Sequence, residues 1–306
     1  MLLLEQMVIL FLLMAVGFYC YKKEIITDES SKKISAIVVN IANPAMVLSG
    51  SMSEDKIAGR ELLMMAGIVV AIYASLLVLA MIVPRLLRID KKSRGAYQAM
   101  TVFTNIGFMG FPVVSALYGS GALLYAALFT IPYNILIYTY GVTVMSTEEK
   151  AEGEKKKIPL NRIFNMGVIA CFITIIIYLL DLQVPTFIKS TVTHLSNLTA
   201  PLSMMVIGAS LATINLKKLF TDVKLLLFSA VKLLVIPVLG VLIIRQFVNN
   251  DVICGVCMVM LATPVGSMTA MLAQQYDGDY EMASKGVALT TVLSVVTMPL
   301  VSMLVG

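Results

Sequence analysis

Thr104-Asn-Ile-Gly-Phe-Met109 and Thr263-Pro-Val-Gly-Ser-Met268 share a frame of threonine, glycine and methionine, 159 residues apart. Each lies in the middle of an apolar stretch. A second pair, Asn40-Ile-Ala-Asn-Pro44 and Asn197-Leu-Thr-Ala-Pro201, recurs at an offset of 157. One match of this kind carries little. Two at nearly one offset, in corresponding segments, describe a chain built as a repeat.

The surrounding composition sets the medium. Of the 306 residues, 59% are hydrophobic and 13% charged, whereas a soluble domain runs nearer half and a quarter. Apolar runs of roughly 20 residues follow one another, each long enough to cross about 30 Å of hydrocarbon as a helix. Ten spans are expected: 3–21, 33–50, 62–84, 97–118, 122–145, 163–182, 195–213, 223–247, 252–274 and 283–304. Lipid offers backbone groups no partners, and these runs are too long and uniformly apolar for barrel strands, so the class is all-α integral membrane. Leu2–Tyr21 reads as the first span rather than a signal peptide. Its positive residues, Lys22 and Lys23, follow the apolar run instead of preceding it.

Charge orients the spans. Lys22, Lys23, Lys32 and Lys33 follow span one; Arg85, Arg88, Lys91, Lys92 and Arg94 follow span three. Lys150, Lys155, Lys156, Lys157 and Arg162 follow span five, Lys217, Lys218 and Lys224 follow span seven, and Lys285 lies in the last loop. The even loops hold only Lys56, Arg60, Lys189 and Arg245. By the positive-inside rule the odd loops face the cytoplasm and both termini lie outside it, in a cell inner membrane. The net charge of +5 belongs to that surface and gives no support to a nucleic-acid partner. The polar run Ser146–Asn161 halves the chain. Residues 1–145 form a first five-helix repeat, 146–162 a cytoplasmic linker and 163–306 a second repeat. Five is odd, so the second repeat is inverted, a frequent plan among secondary transporters.

Spans four and nine carry the chemistry. Gly107, Gly110 and Pro112 interrupt the first, and Pro264 and Gly266 the second. Proline removes a donor and crowds the preceding turn; glycine is a poor helix former. A kink or a close-packed interface is the plain reading of either alone. Interruptions at matching places in both halves point to a solute site at the midplane, with the two helices crossing there. Unwound backbone at that depth lines a cavity or lies buried in protein. Half-helix N-termini carry partial positive charge and attract an anion, while free carbonyls suit a small cation. The candidate substrate-binding set is Asn105, Ile106, Gly107, Met109, Gly110 and Pro112 with Thr263, Pro264, Val265, Gly266 and Ser267.

Asn105-Ile-Gly-Phe-Met-Gly-Phe-Pro112 resembles the Asn-Thr-Leu-Val-Met-Gly-Ile-Pro segment of plant auxin efflux carriers. Ala273, Tyr276, Ser284, Val287 and Pro299 are similar to the family's C-terminal Ala-x-x-Tyr and Ser-x-x-Val-then-Pro pattern. The resemblance runs over nearly the whole chain and implies a compact bacterial member of that family. It implies a fold shared with sodium–bile-acid symporters. Helices one, two, six and seven would form a scaffold; three to five and eight to ten would form a transport domain moving in elevator fashion. It also implies a homodimer and a carboxylate substrate, such as malate or malonate in bacterial relatives and auxin in plant ones. The 16-residue linker is far shorter than the regulatory loop of many plant carriers.

Single residues complete the reading. Lys232 lies about ten residues, roughly 15 Å, into helix eight. A lysine there pairs with a substrate carboxylate, caps carbonyls of the broken helices, or snorkels toward the cytoplasm past a kink at Pro237. Asn134, after Pro132-Tyr133, is a substrate contact or an interhelical hydrogen bond. Asn43 and Ser203 line the other cavity wall or serve helix packing. Glu5, Asp181, Asp251, Asp277, Asp279 and Glu281 all fall near span ends, which argues against a carboxylate proton relay. A coupling sodium ion held by carbonyls, amides and hydroxyls stays open beside plain anion uniport, as does a proton-coupled symporter of another solute. No cofactor or metal is expected: Cys254 and Cys257 sit on an apolar helix without a second ligand pair, and the one histidine, His194, falls near a helix end in a polar loop. Without a catalytic dyad, a phosphate-binding loop or a soluble signalling domain, neither enzyme, ATP-driven pump nor receptor fits.

Overall fold

The computed structural model describes residues 2–52, 59–146, 164–213 and 219–305. The linker's charges, Lys150 to Arg162, lie outside the described residues, as do Lys56, Lys217 and Lys218. Among the described residues twelve helices follow one another: α1 (Leu2–Lys22), α2 (Asp28–Ser51), α3 (Gly59–Leu86), α4 (Lys91–Val102), α5 (Ile106–Tyr118), α6 (Leu123–Met145), α7 (Met166–Leu179), α8 (Thr186–Ala212), α9 (Val223–Arg245), α10 (Asp251–Ala262), α11 (Met268–Gln275) and α12 (Tyr280–Val305). Among the described residues there is no strand, only one isolated antiparallel bridge. Of the helices among the described residues, six (α2, α3, α6, α8, α9 and α12) are long and apolar enough to cross a membrane, and α5, α7, α10 and the Val8–Lys22 part of α1 are shorter apolar helices. Their outer faces are those of a multi-pass membrane protein: Phe11, Leu12 and Val16 on α1 and Phe172, Ile173 and Ile176 on α7 are exposed, as lipid permits and water does not.

Prolines shape the helices locally. Wide five-residue π turns occupy Val38–Ala42, Ile106–Gly110 and Val231–Val235, and each is followed two residues on by Pro44, Pro112 or Pro237. A proline at the second position of a helical segment lacks its donor and its ring crowds the carbonyl four residues back. Widening the preceding turn relieves that crowding. Pro112 and Pro237 therefore leave their helices continuous.

The polar segment before span seven is helical, not loop. The sequence reading starts that span at 195; α8 starts at Thr186, kinks at Leu198 and carries His194 in the last turn of its first part. Pro185 opens it, and the Thr191 and Thr193 hydroxyls donate to Phe187 O and Lys189 O at 2.8 and 2.9 Å. Those bonds let a hydroxyl-rich stretch lie along a helix at no cost in unpaired groups.

Packing joins α1 to the second half of α8, and α2 to α7 and to the first half of α8. At the α1–α8 crossing a Cβ on Gly17 would sit 2.1 Å from Met205 O, and one on Gly208 1.9 Å from Met14 O. Only hydrogen side chains let the backbones approach so far. α3 packs on α4, α9 on α10, and α12 on α4, α9 and α11. Polar ties brace both ends of α3. At its start Glu61 accepts from Tyr125 Oη at 2.8 Å and from Asn250 Nδ2 at 3.1 Å. Beyond its end Arg88 O accepts from Lys224 Nζ at 2.8 Å, and Ser93 on α4 donates to Asp279, which caps α12.

Candidate functional site

The first interruption is three residues long. α4 ends at Val102, and Phe103, Thr104 and Asn105 run extended or irregular before α5 begins. The second runs from Thr263 to Ser267, between α10 and α11. The two lie side by side. Thr104 and Val265 form the antiparallel bridge, with Asn105 N donating to Pro264 O at 2.8 Å and Gly266 N to Phe103 O at 2.9 Å. Each unwound segment thus satisfies part of the other's backbone, as buried irregular chain requires.

The glycines and prolines sit differently from the expectation. Gly107, Gly110 and Pro112 lie inside α5, beyond the unwound residues, whereas Pro264 and Gly266 lie within them. The reason is capping. Asn105 Oδ1 accepts from Phe108 N at 3.2 Å, starting the helix just after Thr104 as asparagine caps do. Gly266 is needed for contact: a Cβ there would meet Thr104 O at 2.9 Å and Tyr133 Oη at 3.2 Å.

The carbonyl end of α4 has its own partner. Lys232 is fully buried, and its Nζ donates to Thr101 O at 2.9 Å. Thr101 O is one of the last four carbonyls of α4, which have no partner within the helix. An ammonium beside a helix C-terminus is electrostatically favoured. No carboxylate among the described residues lies within 4.0 Å of it. Capping, one of the three readings of this residue, is the geometry observed; with the side chain wholly enclosed, snorkelling is not.

The remaining predicted residues divide. Thr263, Pro264, Val265, Ile106, Met109, Gly110 and Pro112 are buried, Val265 packing with Tyr97, Met100 and Phe228. Gly107 is half-buried and Ser267 exposed, so these two stand toward open space. Asn43 is brought to the site, with its Nδ2 3.0 Å from where a Cβ on Gly107 would be. The second half of α8, which bears Ser203, packs against both the wide turn of α2 and that of α5. Asn43 Oδ1, Ser203 Oγ, Thr199 Oγ1 and Thr269 Oγ1 are buried without a hydrogen-bond partner among the described residues. Asn134 is occupied elsewhere: its Oδ1 accepts from Asn165 and its Nδ2 donates to Thr130 O at 2.8 Å.

Two residues outside the predicted set, Thr101 and Thr290, also hold the breaks. Thr290 Oγ1 accepts from Val265 N at 3.1 Å and donates to Gly286 O at 2.7 Å, so it closes the second break from α12. A hydroxyl in an apolar span was the available signal. Thr101 acts through its carbonyl, which no side-chain pattern reveals.

The chain matches the family model described as membrane transport protein over residues 2–302. It is similar to a protein described as an uncharacterized transporter from Methanothermobacter thermautotrophicus, 23% identical over 298 residues, covering 97% of this chain and 96% of that one. It is likewise similar to an uncharacterized transporter from Methanocaldococcus jannaschii, 23% identical over 308 residues and covering 97% of each chain. With paired helix breaks inside a lipid-facing bundle and a family match along almost its entire length, the chain belongs to the membrane transport protein family of auxin efflux carrier-like transporters.

Proposed function

We propose that this membrane transporter is a secondary carrier of a small organic anion, a carboxylate such as malate, malonate or an auxin-like acid. The observation that carries the reading is the bonded pair of helix breaks, Thr104 against Val265. Two helix N-termini start beside it, α5 at Asn105–Ile106 and α11 at Ser267–Met268. Their partial positive charges suit a carboxylate, and Asn105, Gly107, Gly266 and Ser267 offer backbone and neutral polar contacts. Asn43 and Ser203, with unpartnered buried oxygens, supply polar groups to the facing wall.

The two halves act as inverted five-helix repeats in this reading, with helices α4–α5 and α10–α11 crossing at the midplane. The polar ties support it. The start of α3 bonds to the N-cap of α10, and the start of α9 bonds to the loop between α3 and α4. α1, α2, α7 and α8 serve as scaffold, and α3–α6 with α9–α12 as the unit that moves in elevator fashion. The Lys and Arg bias sets both termini outside the cytoplasm. Dimerisation follows the family resemblance.

The decisive experiment is a proteoliposome screen of mono- and dicarboxylates, with and without sodium and pH gradients. Saturable flux of at least one carboxylate is expected. Flux of none under any gradient overturns the reading, and flux only with sodium or a proton gradient replaces uniport with symport.

A further inference from the structure

The two helices that leave the breaks do not start alike. At α5 the Ile106 amide donates to Thr104 O at 3.0 Å and the Phe108 amide to Asn105 Oδ1 at 3.2 Å. At α11 no side chain caps the start, and the amides of Ser267 and Met268 have no partner among the described residues. The first amides of a helix have none within it, and the exposure of Ser267 puts this start beside open space.

A hydroxyl reaches the same place from α6. Tyr133 is only 9% exposed, and its ring stands edge-on to Phe103. Its Oη lies 3.2 Å from where a Cβ on Gly266 would be, one residue before the open amides. The neighbouring Tyr73 donates to Phe129 O at 3.3 Å, whereas the Tyr133 hydroxyl donates to nothing among the described residues. A buried phenol ordinarily finds a partner. This one is fixed by its ring and leaves its donor at the break. Thr269 Oγ1, in the first turn of α11, is likewise buried without a partner among the described residues.

We infer that a carboxylate of the solute seats at the start of α11 and not at that of α5, with the Tyr133 hydroxyl donating to it beside the Ser267 and Met268 amides. The inference rests on the proposed carboxylate transport and adds Tyr133 to the residues that touch the solute. A carboxylate accepts several hydrogen bonds on its two oxygens, and a helix start favours its charge. The three donors are neutral, so the seat takes the carboxylate of an auxin-like acid or either one of a dicarboxylate. Gly266 keeps room for the hydroxyl, since any side chain there would stand against Tyr133 Oη.

Tyr133→Phe removes the hydroxyl and keeps the ring on Phe103. The test is flux into proteoliposomes of radiolabelled malate, malonate, indole-3-acetate and any further carboxylate that proves to be carried, under whichever gradient supports it. Thermal unfolding in detergent runs beside it. For each acid that the wild type carries, Tyr133→Phe is expected to raise KM about tenfold, the loss expected for one hydrogen bond to a charged acceptor. The maximal rate should stay within about twofold, as for binding lost without a change in the slow step. The unfolding temperature should match wild type, because the hydroxyl gives up no partner in the protein. An unchanged KM in Tyr133→Phe overturns the inference and leaves carboxylate transport standing. A raised KM accompanied by unfolding about 5 °C earlier also overturns it, since the hydroxyl would then be holding the fold. A wild type that carries no carboxylate overturns the transport reading, and this inference with it.

Discussion

The two helix breaks meet in one bridge, yet they are held open by different means. The break after α4 is secured by side chains: Asn105 caps the outgoing helix and Lys232 caps the incoming one. The break after α10 is secured by backbone shape and one hydroxyl, with Pro264 removing a donor, Gly266 lying against Thr104 O and the Thr290 side chain accepting from Val265 N. Related frames, Thr-Asn-Ile-Gly-Phe-Met and Thr-Pro-Val-Gly-Ser-Met, thus reach related backbones through unlike chemistry. The two frames keep only the positions at which the chain opens. What closes the backbone groups differs between them.

The corresponding glycines, Gly107 and Gly266, test this most sharply. A Cβ on Gly266 strikes a backbone carbonyl that the bridge holds in place. One on Gly107 meets only the Asn43 amide, the end of a side chain that can turn. Gly266→Val is expected to lower stability by about 3 kcal/mol through overpacking and to abolish flux. Gly107→Ala should stay within about 1 kcal/mol of wild type, since alanine also favours the helix. Thermal unfolding in detergent reads both. Equal shifts for the two variants would mean that the breaks are alike after all.

Next in size is the contrast between the closing groups. Thr290→Val keeps the shape and leaves the Val265 N–H unpaired in the interior, at an expected cost of about 2 kcal/mol. Asn105→Ala removes a cap at a site where the chain has other backbone partners, and about 1 kcal/mol is expected. Its flux should fall by more than its stability implies if Asn105 also faces the solute. An Asn105→Ala protein less stable than Thr290→Val would reverse the ranking of the two breaks.

Much of this was legible beforehand, for a physical reason. Apolar runs and their spacing are one-dimensional, so an all-helical multi-pass chain and the place of both interruptions could be read directly; of the ten expected spans, six helices among the described residues are long enough to cross and four more are shorter apolar helices. Pro264 and Gly266 mark their break because they sit within it. Gly107, Gly110 and Pro112 mark theirs only approximately, since Asn105 ends the unwound stretch before they are reached. α8 extended beyond expectation because threonine hydroxyls bonding back along a helix look, in sequence, like loop polarity. The partner of Lys232 is a carbonyl 131 residues away, which depends on which helices meet and so lies beyond any local pattern.

Asn134 offers the smallest effect and the cleanest choice between two readings of a polar group in a membrane helix. Its amide links α6 to Asn165, whose own Oδ1 caps α7 through Val168 N at 3.1 Å. A tie of this kind in a bundle contributes about 0.6 kcal/mol on average, because the separated helices find other partners. Asn134→Ala should therefore unfold slightly earlier and transport with an unchanged KM. A solute contact would behave in the opposite way, raising KM with stability nearly intact. Because Asn134 adjoins Tyr133, whose ring lies edge-on to Phe103 with centroids 5.6 Å apart, the variant also reports how far a disturbance at α6 travels. A raised KM would extend the site further along α6, and an unchanged one confines it to the bridge, the Tyr133 hydroxyl and the facing wall of Asn43 and Ser203.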